Sequence, residues 1–141
     1  MDVLIHIKGT QTVDGESDQV ELTTAGTLEK LADGWKLCYE ESEATGMQGT
    51  ATQLQICPNR VEMEHIGTHT SMLVLEKHRR HHCNYTTPYG TLDLGTYTTD
   101  LDYQLSNQGG SLRICYTLSL NGSVNSNHTI DITVQEENNY V

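Results

Sequence analysis

Hydrophobic and polar residues alternate with a period of two along much of the chain, most clearly at residues 111–121. The apolar side chains there occupy every second position: Leu112, Ile114, Tyr116, Leu118 and Leu120. The same alternation recurs near the end of the chain with Ile130, Ile132 and Val134. Because successive side chains of a strand point to opposite faces, this pattern predicts strands with one buried face. Similar patterns predict strands at residues 3–12, 18–31, 35–41, 50–57, 60–67 and 70–77.

Residue pairs suited to tight turns separate these segments. They are Asp14-Gly15, Asp33-Gly34, Pro58-Asn59, Gly109-Gly110 and Asn121-Gly122. Asn, Asp and Gly tolerate the positive φ angles that short hairpin loops require. Connections this short join antiparallel neighbours and leave no room for crossover helices. The sequence therefore predicts an antiparallel meander.

One long segment changes its apolar phase part of the way along. Leu92 and Leu94 share one phase, whereas the apolar residues from Tyr97 to Leu105 share the other. A strand changes face only where it gains an extra residue, so we expect a β-bulge or sharp bend at Gly95. A long bent strand suits a closed barrel, and closure also removes exposed sheet edges.

Length and composition agree with a barrel of one domain. The chain has 141 residues, of which 35% are hydrophobic, and this is enough for one core. The residue mixture also favours strands, because it contains many Thr, seven Tyr and two Pro. The predicted fold is all-β: a single closed antiparallel meander β-barrel of about 8–10 strands, with residues 1–141 as one domain.

Net charge and the absence of targeting signals limit the partners and the cellular compartment that we expect. A formal net charge of −11 argues against binding to nucleic acid and to anionic membrane surfaces. The longest strongly apolar run, Met72–Leu75, is far too short to span a bilayer. The first residues, Met1–Ile7, contain no basic leader, so we expect a cytoplasmic protein. The four cysteines are then expected to be free thiols; two disulfides or a metal site built from distant strands are the alternatives.

Two stretches of the chain match a known family. They are residues 39–50, YEESEATGMQGT, and residues 85–90, YTTPYG. With the residues that follow them, they resemble the YwiB-like family, a bacterial domain of unknown function with a lipocalin-like (calycin) β-barrel. The resemblance implies the barrel, but no reaction, ligand or catalytic residue. The motif positions, all of unknown role, are Glu40, Glu41, Gly46, Met47, Gly49, Thr50, Thr87, Pro88, Tyr89 and Gly90.

The basic segment 77–83, KHRRHHC, departs from the family pattern and is the most unusual local composition. It could bind an anion, or it could present His81, His82 and Cys83 to zinc or copper in a metal-assisted hydrolase. However, His82 would oppose His81 and Cys83 on a strand, and the neighbouring arginines would repel a dication. We therefore expect a solvated hairpin tip and no metal or other cofactor.

Candidate catalytic groups are sparse. Two of the carboxylates Glu40, Glu41 and Glu43 could act as general acid and base, but we expect them to be solvated carboxylates at a strand end. His65 and His69 flank Gly67 and are expected to be hydrogen-bonded structural residues. No nucleophile elbow, zinc-protease motif or phosphate-binding loop occurs. The sequence therefore gives no positive indication of an enzyme.

The aromatic residues give the leading functional hypothesis. Trp35, Tyr39, Tyr97, Tyr103 and Tyr116 all fall on the apolar phase of their predicted strands. Inward-facing Tyr and Trp could line a ligand pocket, because each joins a large apolar body to a polar group. We therefore expect a non-catalytic binder of a small ligand in the barrel interior or mouth. The alternative is a protein-interaction module with a filled barrel, which could also pair with itself.

Overall fold

The computed structural model describes residues 1–41, 49–67, 70–87, 89–122 and 124–137. Regular structure in these residues consists of β-strands, and no helix in them is long and apolar enough to cross a membrane. The strands are β1 (Asp2–Val13), β2 (Glu16–Leu31), β3 (Gly34–Glu40), β4 (Thr50–Cys57), β5 (Arg60–Gly67), β6 (Ser71–Glu76), β7 (Arg80–Thr87), β8 (Gly90–Ser106), β9 (Gly109–Leu120) and β10 (Val124–Glu136).

These ten strands form one antiparallel sheet in the order β6-β5-β4-β3-β2-β1-β10-β9-β8-β7. Neighbours in the sheet are neighbours in sequence, as predicted for a meander, except that β1 also pairs with β10. That pairing runs from Val3 opposite Glu136 to Thr12 opposite Asn127. This pairing leaves β6 and β7 as the two edges of the sheet, and the sheet curls so that these edges approach each other. The predicted all-β barrel is confirmed.

The barrel is nearly closed, with a seam between β6 and β7. Beside this seam β6 approaches β8: Lys77 and Thr98 form a parallel bridge, and the His78 N–H donates to the Thr98 carbonyl oxygen at 2.8 Å. The Thr96 hydroxyl also donates to the Val74 carbonyl oxygen at 2.9 Å. These hydrogen bonds tie the β6 edge of the sheet to β8 across the seam.

The core fills one end of the barrel, which we call the packed end. The register of the strands brings the apolar side chains of this core together, because Leu37 lies opposite Leu54, and Leu54 lies opposite Met63. Burial of each such side chain contributes about 1.5–3 kcal/mol. The packed end is defined by Val3, Ile5, Leu28, Trp35, Leu37, Leu54, Ile56, Val61 and Leu75, all of which are buried.

The bulge in β8 lies further along the strand than the sequence predicted. The register shifts between Thr98 and Asp100, not at Gly95. Thr96 and Thr98 are buried in the same phase as the preceding leucines, and Leu101 is buried after the shift. The prediction was wrong because these threonines were counted as polar. Tyr97 consequently lies on the outer face, beneath the exposed Arg80, whose guanidinium carbon is 5.8 Å from the ring centroid.

Strand β7 corrects the prediction of a solvated tip at residues 77–83. The turn ends at Arg79, and the chain from Arg80 onward pairs with β8, with Cys83 opposite Leu94. Polar composition concealed this strand, since it lacks an apolar alternation. His81 and Cys83 nevertheless share a face, as alternation requires.

Two of the predicted turn pairs are displaced by one or two residues. The turns lie at residues 32–33 and 107–108, so that Gly34 begins β3 and Gly109 begins β9. Gly34 is required for close approach instead, because a Cβ there would overlap the Ile56 carbonyl oxygen. The Asp14-Gly15 and Asn121-Gly122 pairs do adopt the predicted positive φ angles.

All four cysteines are free thiols, as expected. They are Cys38, Cys57, Cys83 and Cys115.

Candidate functional site

A cavity of about 310 Å³ opens at the end of the barrel opposite the packed end, and we call this end the mouth. It lies between the C-terminal halves of β1, β3, β5 and β9 and the N-terminal halves of β2 and β10. Gly9 helps to leave this space open, because a Cβ built on it meets only the Val20 carbonyl oxygen, at 4.0 Å. The apolar part of the wall consists of Ile7, Val20, Leu22, Met63, Ile130 and Ile132.

A hydrogen-bonded cluster lies where β3, β4 and β5 reach the mouth. The Thr52 hydroxyl donates to Glu41 Oε1 at 2.6 Å and lies 2.8 Å from His65 Nδ1. Because that hydroxyl gives its single proton to the carboxylate, His65 Nδ1 donates to Thr52. The Tyr39 hydroxyl also contacts Glu41 and Thr52, and burial together with the charge of Glu41 raises the pKa of Tyr39. The cluster fixes the Glu41 carboxylate in the cavity wall.

A second polar cluster lies on β9 and β10. The rings of Tyr116 and His128 are stacked, with centroids 4.9 Å apart and an interplanar angle of 9°. Ser126 Oγ lies 2.7 Å from His128 Nε2, within hydrogen-bond distance. Burial raises the pKa of Tyr116 to about 12 and lowers that of His128. Both groups are therefore neutral near neutral pH.

Thr98 lies opposite Tyr116 on the inner face of β8. It is fully buried, and its hydroxyl has no hydrogen-bond partner in the part of the chain that the structure describes. A buried hydroxyl without a partner costs about 1–3 kcal/mol.

Among the described residues, the Asp, Glu, Lys and Arg side chains of the cavity wall are all acidic. Asp18 and Glu41 line the cavity, whereas none of the eight Lys and Arg residues of the chain does. Lys8 lies next to cavity residues on β1 but faces outward, opposite Glu21 and Asp131. The interior is thus apolar and mildly acidic.

The five aromatic residues predicted to bind ligand lie in different parts of the barrel. Tyr39 and Tyr116 line the cavity. Trp35 is buried in the packed end, with Lys30 Nζ 4.7 Å from its ring centroid. Tyr103 packs against the core away from the cavity, and Tyr97 faces outward. The structure therefore brings together only two of the five.

The described family-motif residues lie at or next to strand ends on the mouth side. Glu40 is exposed, whereas the next residue, Glu41, joins the polar cluster. Gly49 and Gly90 have positive φ angles of 86° and 129°, which explains glycine at both positions. Thr50 is buried and Tyr89 is exposed, while Thr87 pairs with Gly90 through the backbone. The remaining motif residues, Gly46, Met47 and Pro88, lie outside the described residues, as do Glu43 and His69.

The basic segment 77–83 lies at the opposite end from the mouth, where Glu76 contacts several of its groups. Glu76 Oε1 is 2.8 Å from His81 Nε2, and its other oxygen is 3.7 Å from Arg79 Nε. The hydrogen bond from His81, followed by the arginine charges, lowers the pKa of Glu76. Burial and Asp93 raise the pKa of Cys83, which disfavours the thiolate that binds metals. Among the described residues, no group of three or more His, Cys, Asp and Glu could hold a metal ion.

Sequence reasoning missed Thr52, Ser126 and His128. Register was the signal that could have found the first, because the Pro58-Asn59 turn places Cys57 opposite Arg60 and hence Thr52 opposite His65. Ser126 and His128 share the inward phase of Ile130. They were overlooked because they are polar residues in an apolar alternation.

Comparison with known proteins identifies a family and a fold. A family model described as a domain of unknown function, DUF1934, matches residues 5–132. The crystal structure of the ywiB protein from Bacillus subtilis is similar with a TM-score of 0.86 and 20% identity, covering 97% of this chain and 92% of that one. No curated protein matches the chain. The family resemblance inferred from the sequence is thereby confirmed.

Proposed function

This chain belongs to the DUF1934 family, and we propose that its barrel binds a small ligand in the cavity at the mouth. The observation that carries the proposal is a cavity of about 310 Å³ with an apolar wall and a few fixed polar groups. Small-molecule sites typically combine these two features, because the apolar wall supplies affinity and the polar groups orient the ligand. The volume is at the lower end of the usual range of roughly 300–1,000 Å³.

The polar cluster of the cavity favours binding over nucleophilic catalysis. Thr52 is the hydroxyl held between Glu41 and His65, but it is only 1% exposed. A nucleophile must reach the substrate atom that it attacks. We therefore assign this threonine to positioning Glu41 and His65.

Binding of an uncharged apolar dye, N-phenyl-1-naphthylamine, tests the proposal. We expect its fluorescence to rise when the protein is added, because the dye leaves water for the cavity. Gly9→Leu directs a side chain into the cavity and should abolish the rise. Lys8→Leu places the same side chain on the outer face of β1 and should leave the rise unchanged.

Two outcomes of this experiment would contradict the proposal. No rise with the wild-type protein, or an equal rise with Gly9→Leu, would mean that the cavity is not a binding site. Urea unfolding of each variant checks that the barrel is folded during the titration.

A further inference from the structure

The charges around the cavity restrict the ligand that it can hold. We infer that the ligand is an apolar amine, bound as its ammonium ion beside the Glu41 carboxylate. The inference rests on the proposed function and adds the chemical class of the ligand. An anionic ligand would meet Asp18 and Glu41, with no Lys or Arg among the described residues that line the cavity. Burial of an unpaired charge is costly, so a fatty acid or a phosphate is disfavoured.

Neither His128 nor Arg113 compensates an anion in the cavity, and the ring of His65 is held in the Thr52–Glu41 cluster, where its Nδ1 donates to Thr52. Burial lowers the pKa of His128, so its imidazole is neutral near pH 7. The His128 ring is occupied by stacking on Tyr116, and its Nε2 contacts Ser126. Arg113, on the outer face, is paired with Asp131 at 2.9 Å.

Glu41 is suited to accept hydrogen bonds from an ammonium group. Its carboxylate accepts a hydrogen bond from Thr52 at Oε1 and contacts the Tyr39 hydroxyl, and its backbone N–H donates to the Thr50 carbonyl oxygen at 2.8 Å. An ionised carboxylate offers about four acceptor positions, so capacity remains for the N–H donors of a ligand. Because the carboxylate is already held in place, little side-chain entropy is lost on binding.

The rest of the wall suits the remainder of such a molecule. Tyr39 and Tyr116 present aromatic rings to the cavity, and a cation over an aromatic face is attracted by the negative face of the ring. The aliphatic residues Leu22, Met63 and Ile132 would contact the hydrocarbon portion. The site therefore combines an anionic anchor, aromatic rings and an apolar wall.

Three probes with one carbon skeleton test the charge of the ligand: 3-phenylpropylamine, 3-phenylpropanol and 3-phenylpropanoate. Isothermal titration calorimetry near pH 7 measures each dissociation constant. We expect the amine to bind at least about tenfold more tightly than the carboxylate, with the alcohol between them. Glu41→Gln should weaken the amine about tenfold and leave the alcohol unchanged.

Glu40→Gln is the matched control, because it removes the same charge from an adjacent, exposed residue. If both variants weaken the amine equally, the overall acidity of the chain attracts it and the inference is wrong. Equal or tighter binding of the carboxylate would also overturn the inference, while leaving the proposed function intact. If the neutral dye binds but none of the three probes does, the inference fails alone; if nothing binds, both fail.

Discussion

The packed end and the mouth are built from the same strands, yet their inward rows differ completely. On β3, β4 and β5, the row Leu37–Leu54–Met63 is followed by the row Tyr39–Thr52–His65. The two rows are separated by only two residues along each strand, or about 7 Å. Core packing is thus replaced by hydrogen-bonded polar groups within one step along the barrel.

This difference shows how the barrel divides stability from chemistry. At the packed end, Leu37, Leu54 and Ile56 have no exposed surface. At the mouth, Gly9 occupies a position on β1 that leaves open space. A polar row needs the neighbouring apolar row, because only a rigid scaffold holds functional side chains in a fixed geometry.

Substitution of one glycine at each end of the barrel tests the difference between the two ends most directly. A Cβ at Gly34 would overlap the Ile56 carbonyl oxygen, whereas a Cβ at Gly9 meets nothing closer than 4.0 Å. We expect Gly34→Ala to cost about 5 kcal/mol or to prevent folding, because backbone atoms must move. Gly9→Ala should leave stability unchanged or raise it by about 0.5–1 kcal/mol, since glycine weakens a strand.

The free energy of unfolding from urea titration measures both changes. Unchanged stability of Gly34→Ala would contradict the close approach of β3 and β4. A large loss in Gly9→Ala would show that the mouth is as tightly packed as the other end.

Leucine truncation compares the two ends with one substitution. Leu54 is fully buried among core residues, whereas Leu22 borders the cavity. We expect Leu54→Ala to cost about 3–5 kcal/mol, because it leaves a closed void. Leu22→Ala should cost about 2 kcal/mol or less, because it enlarges an existing cavity that water can enter. Equal costs in urea unfolding would mean that the two ends are packed alike.

Most of the fold could be predicted from the sequence because the inward rows are apolar at period two. Strand β9, with Leu112 and Ile114, is the clearest example. Strand β7 was not predicted, because Arg80–Thr87 has no apolar alternation and its conformation depends on tertiary pairing with β8. The bulge was misplaced because Thr98 behaves as a core residue once it is buried. Threonine has both a methyl group and a hydroxyl, so pattern alone does not assign it a face.

The candidate site was less predictable because it depends on register across strands. Tyr39 and Tyr116 were placed correctly on the inner face. Their polar neighbours Glu41, Thr52 and His65 come from three separate segments, two of which are joined by a long connection. A tight turn fixes register, whereas a long connection does not. The chemistry of the mouth therefore emerges only when the barrel is assembled.

The smallest predicted effect concerns the pH dependence of the mouth. Burial lowers the pKa of His128 in the folded state below its ordinary value of 6.5. The unfolded chain then binds more protons below about pH 6.5, so stability falls as the pH decreases through that value. His128→Phe keeps a stacked ring on Tyr116 and removes the titration, and it should flatten this slope in urea unfolding between pH 7 and 5. The change should be only a fraction of a kcal/mol, because the imidazole is partly open to solvent.

His6→Phe removes an exposed histidine from the outer face of β1 and serves as the control. Equal flattening in that control would assign the slope to the outer surface, and the mouth would then titrate no differently from the rest of the barrel.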